Sequence, residues 1–357
     1  MVQLSYRPIK TELYRVQSFV NYIMLEVILK AHKSKRKLFS ANMVIPRYRT
    51  LIEGVNREYL LNPLKVMFKG CKTLNPYQLK VLRRAVYSNN RIEDLCEGKV
   101  KPVHYSELEA VLGADNKDVV SAIKTFCYEL YDHCLKRKPF IDEYENIRDY
   151  YKKLVARNSN CIMCGFLDVI DTELDDTMSA FDHYLPRALY PFNSVNMRNL
   201  VPTCDNCNEK YKKAKDPLFE EVQQLYKRKN QLTCFYPFSG VSYLIVVGVK
   251  FSSPYKEEMP KEDIEITLSC DGQQEKVDNW ERLYGIKKRY RAWAGNDNAY
   301  KFYLCVRREA LERNLSLDRM IQLRETNIEG DMNFLKVPFL KAILNSQNNN
   351  NTLLILM

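Results

Sequence analysis

Two adjacent residues, Asp182 and His183, are of types that activate water beside a hard cation. Cutting a phosphodiester needs an activated water, neutralised charge at the phosphate and help for the leaving oxygen. An imidazole titrating near pH ~6.5 suits the first task as general base. The Asp182 carboxylate offers a hard oxygen ligand for a metal, and the Asn208 carboxamide offers a second. Two such oxygens, completed by water and a phosphate oxygen, suit Mg2+ or Mn2+. The chain has four histidines, His32, His104, His133 and His183. A lone histidine is ordinarily structural, so the neighbours of His183 decide its reading.

Those neighbours include paired cysteines. Cys161-Ile-Met-Cys164 precedes His183 and Cys204-Asp-Asn-Cys207 follows it. Each Cys-x-x-Cys turn brings two sulfurs to one side, and two turns complete the tetrahedral four-sulfur shell of structural zinc. Redox use would need a thioredoxin-like βαβ setting, which the flanking pattern lacks. The two pairs enclose the Asp-His pair, so the segment between them is more than a connector. The other seven cysteines, Cys71, Cys96, Cys127, Cys134, Cys234, Cys270 and Cys305, are scattered. They read as small hydrophobes of a reducing cytoplasm.

Inside the clamp stands Phe181-Asp-His-Tyr-Leu-Pro-Arg187, followed by Arg198-Asn199-Leu-Val-Pro202 and Cys207-Asn208. In combination this string resembles the HNH (ββα-metal) nuclease family, over residues 155–220 alone. The resemblance implies that His183 ends a first strand, Asn199 lies between strands and Asn208 opens the helix after the second. It implies a catalytic Asn199 that holds the loop by hydrogen bonds without touching metal, and a phosphate contact for Arg187. This chain carries Asn208 where the family's name has its second His. Lys210, Lys212, Lys213 and Lys215 crowd the following helix, which is expected to stop before Asp216-Pro217 and to hold the nucleic-acid backbone. The expected substrate is DNA. RNA stays open, because hydrolysis of this kind is indifferent to the sugar, and a non-catalytic zinc-dependent binding module is a further alternative. Anti-phage defence or restriction, with a partner ATPase, is the setting the resemblance implies. The sequence leaves the oligomeric state open.

What positions these residues is read from the rest of the chain. Its 357 residues, 46% hydrophobic, suffice for two or three domains. The net charge of +11 favours an anionic partner, nucleic acid first. No apolar run reaches the ~18 residues of a membrane helix, and the N-terminal residues carry no signal-peptide pattern. Thr352–Met357, after an Asn run, is apolar but too short to span. The expected fold class is α+β: a zinc-bound ββα-metal module at 151–220, between a mostly helical region at 1–150 for recognition or partner binding and a mixed α/β region at 221–357.

In the first region Val16, Val20, Ile23 and Val27, and later Val119, Ile123, Phe126 and Leu130, recur at helical spacing. Asp115 to Asp118 supplies N-cap candidates for the second stripe. In the last region Val241–Phe251 reads as a buried strand and Ile264, Ile266 and Leu268 as a half-buried one. Trp280–Trp293 and Leu311–Leu323 read as helices. Three charged segments keep two readings each. Lys30 to Arg49, free of acidic residues, is a solvated helix end or a phosphate contact. Lys287-Lys-Arg-Tyr-Arg291 tracks a phosphate backbone or forms an exposed helix face. Asp168, Asp171, Glu173, Asp175 and Asp176 form a solvated loop or mimic metal ligands.

Overall fold

The apolar stripes of the first region fold as expected. A computed structural model describes residues 5–156, 160–165, 180–220, 230–241, 243–328 and 330–348. The described residues are α+β, mostly helical, with two small two-stranded antiparallel sheets. They sort into two compact units. One holds residues 6–156, 160–161, 180–220 and 230–240; the other holds 5, 162–165 and the described residues from 241 on.

The first unit is built on helices α1 (Tyr14–Tyr22), α2 (Pro46–Glu53), α3 (Leu61–Cys71), α4 (Pro76–Ser88), α5 (Ile92–Cys96), α6 (Tyr105–Leu112), α7 (Lys117–Asp132), α8 (Lys138–Glu143) and α9 (Ile147–Val155). The stripe Val16, Val20, Ile23, Val27 is buried, although α1 passes into a π-helix at Ile23–Ile28. Val119, Ile123, Phe126 and Leu130 are buried along α7. Each such side chain contributes about 1.5–3 kcal/mol relative to exposure. The expected cap of α7 is absent: its N-terminal residue Asn116 makes no side-chain capping bond, because a 3₁₀ turn, Ala114–Asn116, leads into it. Gly70 of α3 lies so close to α7 that a Cβ there would sit 2.2 Å from Val119 Cγ2, so this crossing requires glycine.

Strands β1 (Phe181–His183) and β2 (Leu200–Pro202) pair antiparallel, with Asp182 opposite Val201 and His183 opposite Leu200. A π-helix, Asn206–Lys212, follows.

The second unit holds β3 (Val246–Phe251) and β4 (Ile264–Ser269), then α10 (Gln274–Tyr284), α11 (Ile286–Ala294), α12 (Asp297–Glu312), α13 (Leu317–Glu325) and α14 (Asn333–Asn348). Ile264, Ile266 and Leu268 alternate inward as expected. Three expectations are corrected. The strand begins at Val246, not Val241, and its start is open: Val241, Leu244 and Val246 are all more than half exposed. The helix expected over Trp280–Trp293 breaks at Gly285, which takes a left-handed φ of 59°. The helix expected over Leu311–Leu323 breaks after Glu312, where Asn314 turns left-handed and Ser316 caps α13. In both helices the apolar spacing ran on through a residue that backbone geometry uses to stop. Among the described residues, no helix is long and apolar enough to cross a membrane.

Candidate active site and metal centre

The four paired cysteines converge. The sulfurs of Cys161, Cys164, Cys204 and Cys207 lie within 4.8 Å of one another, and all four residues are buried. A tetrahedral zinc with Zn–S near ~2.3 Å needs sulfur separations of this order. Four buried thiols at this spacing, with no disulfide among them, fit a metal such as zinc. The carbonyls of the first turn are held within the second unit. Trp280 Nε1 donates to Met163 O at 2.8 Å, and the Tyr290 hydroxyl donates to Cys164 O at 2.7 Å.

This contact decides the Lys287–Arg291 segment: Tyr290 and Arg289 are buried, so the segment does not form one exposed basic face. The sequence signal for it was the aromatic pair Trp280 and Tyr290 within the segment read as one helix, where Tyr290 was taken with its basic neighbours.

The other seven cysteines behave as small hydrophobes, with one exception: Cys305 is exposed. Burial pushes the thiols of Cys71 and Cys134 up to about 12 and that of Cys127 up to about 11. Thiolate is the nucleophile. We therefore expect iodoacetamide at pH 8 to alkylate Cys305 in the native, metal-loaded protein and to spare Cys71, Cys127 and Cys134. Peptide mass spectrometry checks this; alkylated Cys127 in folded protein would refute it.

The strand pair sends Asp182 and His183 to opposite faces, as neighbours in a strand must go. His183 turns toward α7, where the Tyr131 ring meets it edge-on, with centroids 4.5 Å apart. Its Nε2 lies 2.9 Å from Ser194 O. A carbonyl only accepts, so Nε2 carries the proton and Nδ1 carries the lone pair. Nδ1 has no partner among the described residues. Burial pushes the imidazole pKa down to about 3 against the Ser194 bond, which raises it; Arg187 and Lys212 lower it further. The ring is neutral at pH 7.

The loop that presents Ser194 is clamped at many points. Asn199, fully buried, accepts from Leu185 N (2.8 Å) and donates to Leu185 O (3.0 Å) and Asn193 O (3.4 Å). It sits in a 3₁₀ turn (Met197–Asn199) just before β2, between the strands as expected. Ser194 Oγ donates to Cys127 O on α7, Asn89 Nδ2 donates to Pro191 O, and the Tyr150 hydroxyl donates to Met197 O. Phe192 is held at φ 71°, a left-handed conformation costing on the order of 1–2 kcal/mol outside glycine. The helices of the first 150 residues thus build the floor of the loop.

Asp182 turns the other way. It is 3% exposed, and its Oδ1 accepts from Lys212 Nζ at 2.7 Å. The same ammonium donates to His183 O at 2.8 Å. Burial raises the Asp182 carboxyl above its usual range, while Lys212 pulls the other way. Its Oδ2 is buried without a partner. Asn208, next to Cys207, has its N–H bonded to Cys204 O at 3.0 Å, and its carboxamide has no partner among the described residues. The Asp182 carboxylate oxygen and the Asn208 carboxamide oxygen are each of the donor type that a hard divalent cation takes.

One of the expected nucleic-acid contacts is placed elsewhere. Lys212 is fully buried under Asp182 and cannot reach a phosphate. The cause is the π-turn, in which Lys213 N bonds Asn208 O five residues back and rotates Lys212 inward. Arg187 is half-buried, donates to Asp132 Oδ1 at 2.8 Å and lies over the Tyr128 and Tyr131 rings. Lys210 and Lys213 are exposed. The acidic insert, Asp168 to Asp176, lies outside the described residues. No known protein family, curated protein or solved structure matches the chain.

Proposed function

We propose that the chain is a metal-dependent endonuclease of the HNH (ββα-metal) type that hydrolyses DNA phosphodiester bonds. What carries the reading is the state of His183: a neutral imidazole with its proton held on Nε2 by Ser194 O and its Nδ1 lone pair without a partner among the described residues. Nδ1 takes the proton of the attacking water. A phosphate anion beside the ring raises its proton affinity from the low value it has in the empty pocket. Asn199 orients the base through the loop. Asp182, by Oδ2, and Asn208 hold Mg2+ or Mn2+. When bound, that cation supplies charge neutralisation at the phosphate and the leaving oxygen. Lys212 positions Asp182 and ties it to the His183 backbone. Arg187, close enough to His183 to depress its pKa, is a fixed cation for the phosphate, and Lys210 and Lys213 reach the backbone beyond it. The cysteine cluster fixes Asn208 from the adjoining residue. A role in restriction or anti-phage defence, with a partner ATPase, rests on the resemblance alone.

The test is cleavage of plasmid DNA, single-stranded DNA and transfer RNA side by side, with Mg2+ or Mn2+. His183→Ala should slow plasmid cutting by about 10²–10⁴-fold, the usual worth of a general base, while zinc content and melting stay unchanged. Cutting at the wild-type rate by that variant sinks the reading. Preferential cutting of transfer RNA moves the substrate to RNA.

A further inference from the structure

The basic run after α1 is not absorbed by the site. Lys33, Lys35, Arg36 and Lys37 are exposed on one loop. Lys30 pairs with Glu26, whereas these four have no ion pair among the described residues. The usual fate of such a run is a mobile, solvated face. Here the backbone is fixed instead. Lys72, just past the end of α3, donates its ammonium to Ser34 O at 2.7 Å, Arg36 O at 2.9 Å and Ala31 O at 3.4 Å. The Ser34 hydroxyl accepts from Arg36 N at 3.2 Å. A further cation is therefore placed beneath four cations. That arrangement adds self-repulsion, which a polyanion laid on the loop relieves.

Helix α7 runs between the neighbourhood of this loop and that of His183. Lys72 lies two residues beyond Gly70, which touches Val119 in the first turn of α7. Tyr131, against His183, is in the last turn. Twelve residues at a rise of about 1.5 Å set the two ends about 18 Å apart along the helix.

We propose that the loop Lys33–Lys37 is a phosphate-backbone clamp for duplex DNA. The choice of DNA rests on the nuclease reading; the charge, exposure and stapling of the loop do not. The contacts are to phosphate, so they add affinity without sequence preference.

The test is fluorescence anisotropy with a 25-base-pair duplex, in a His183→Ala background so that the probe stays whole. The comparison is with the same protein carrying Lys33→Gln, Lys35→Gln, Arg36→Gln and Lys37→Gln together. All four side chains are exposed, so melting should be unchanged. The charge-keeping set Lys33→Arg, Lys35→Arg and Lys37→Arg controls for shape. We expect the neutral set to weaken binding by roughly tenfold or more near physiological salt, and to lower the salt slope by about 3 to 4, at about 0.9 per lost phosphate contact. The arginine set should bind as the parent does. Equal affinity and slope in parent and neutral set overturn the clamp, even if the wild type cuts DNA. Weakened binding by the neutral set, with no cleavage by the wild type, overturns the nuclease reading and leaves the clamp.

Discussion

Removing the metal from the four-cysteine cluster should unfold its surroundings. Zinc binding to small four-ligand domains is worth about 10–16 kcal/mol, and that energy is folding energy. A whole domain is stable by only about 5–15 kcal/mol, so losing a term of this size leaves little behind. The four buried sulfurs of the cluster sit within 4.8 Å of one another, too close for several to remain thiolates without a cation. Metal analysis of the purified protein should find one zinc per chain. After chelation, amide exchange should accelerate at 160–165 and 200–212, because Cys204 O and Cys207 anchor the π-turn there. Helix α7, packed on α3 through its own apolar face, should keep its protection. Cys204→Ser, which removes one ligand, should reproduce the effect with a melting temperature lower by more than 10 °C. A metal-free protein that melts where the loaded one does would show that the sulfurs are gathered by packing alone.

The same contrast between local and distant causes explains what could be read in the sequence. Cys161, Cys164, Cys204 and Cys207 were legible because metal geometry imposes spacing within each pair. Asp182, His183 and Asn199 were read as a set through the family resemblance, and the structure places the first two on a short strand and the third in the turn before its partner strand. Lys212 was not. In a regular helix its side chain stands among the exposed lysines; one extra residue in the turn, a feature without a compositional mark, sends it under Asp182 instead. Arg187 was half legible: its nearness to the site was read, but its partner Asp132 lies 55 positions earlier. The contacts of Trp280 and Tyr290 with the first cysteine turn are more than 100 positions long. The helix breaks at Gly285 and Asn314 needed a left-handed residue to be chosen over continuing apolar periodicity. Periodicity reports which face is buried. It does not report against what, and the site's floor is made of such pairings.

Asn199 should prove the most costly single residue of the catalytic loop. Its carboxamide satisfies the N–H and the C=O of Leu185 and reaches Asn193 O, all inside the fold with Asn199 itself at zero exposure. Asn199→Ala deletes one partner from each bond and leaves Leu185's amide groups unpaired in the interior. Each buried unpaired group costs about 1–3 kcal/mol, which gives a loss of about 2–6 kcal/mol before relaxation. Asn199→Asp should do no better. It keeps an acceptor for Leu185 N but sets a carboxylate against two carbonyl oxygens, in a site that supplies no cation to it. Denaturant melts measure the stability change. A purely structural role would stop there, so a second readout is needed. The Nε2–H form of His183 depends on Ser194 O, which follows Asn193 directly. If Asn199 positions the base, nitrogen NMR of the imidazole should show a single Nε2–H tautomer in the wild type and a mixture in Asn199→Ala, measured where that variant is still folded. Nuclease activity should then fall by more than the unfolded fraction accounts for. A variant that is less stable, yet keeps the wild-type tautomer and full activity per folded molecule, would reduce Asn199 to a packing residue and leave the loop's geometry to Ser194, Asn89 and Tyr150.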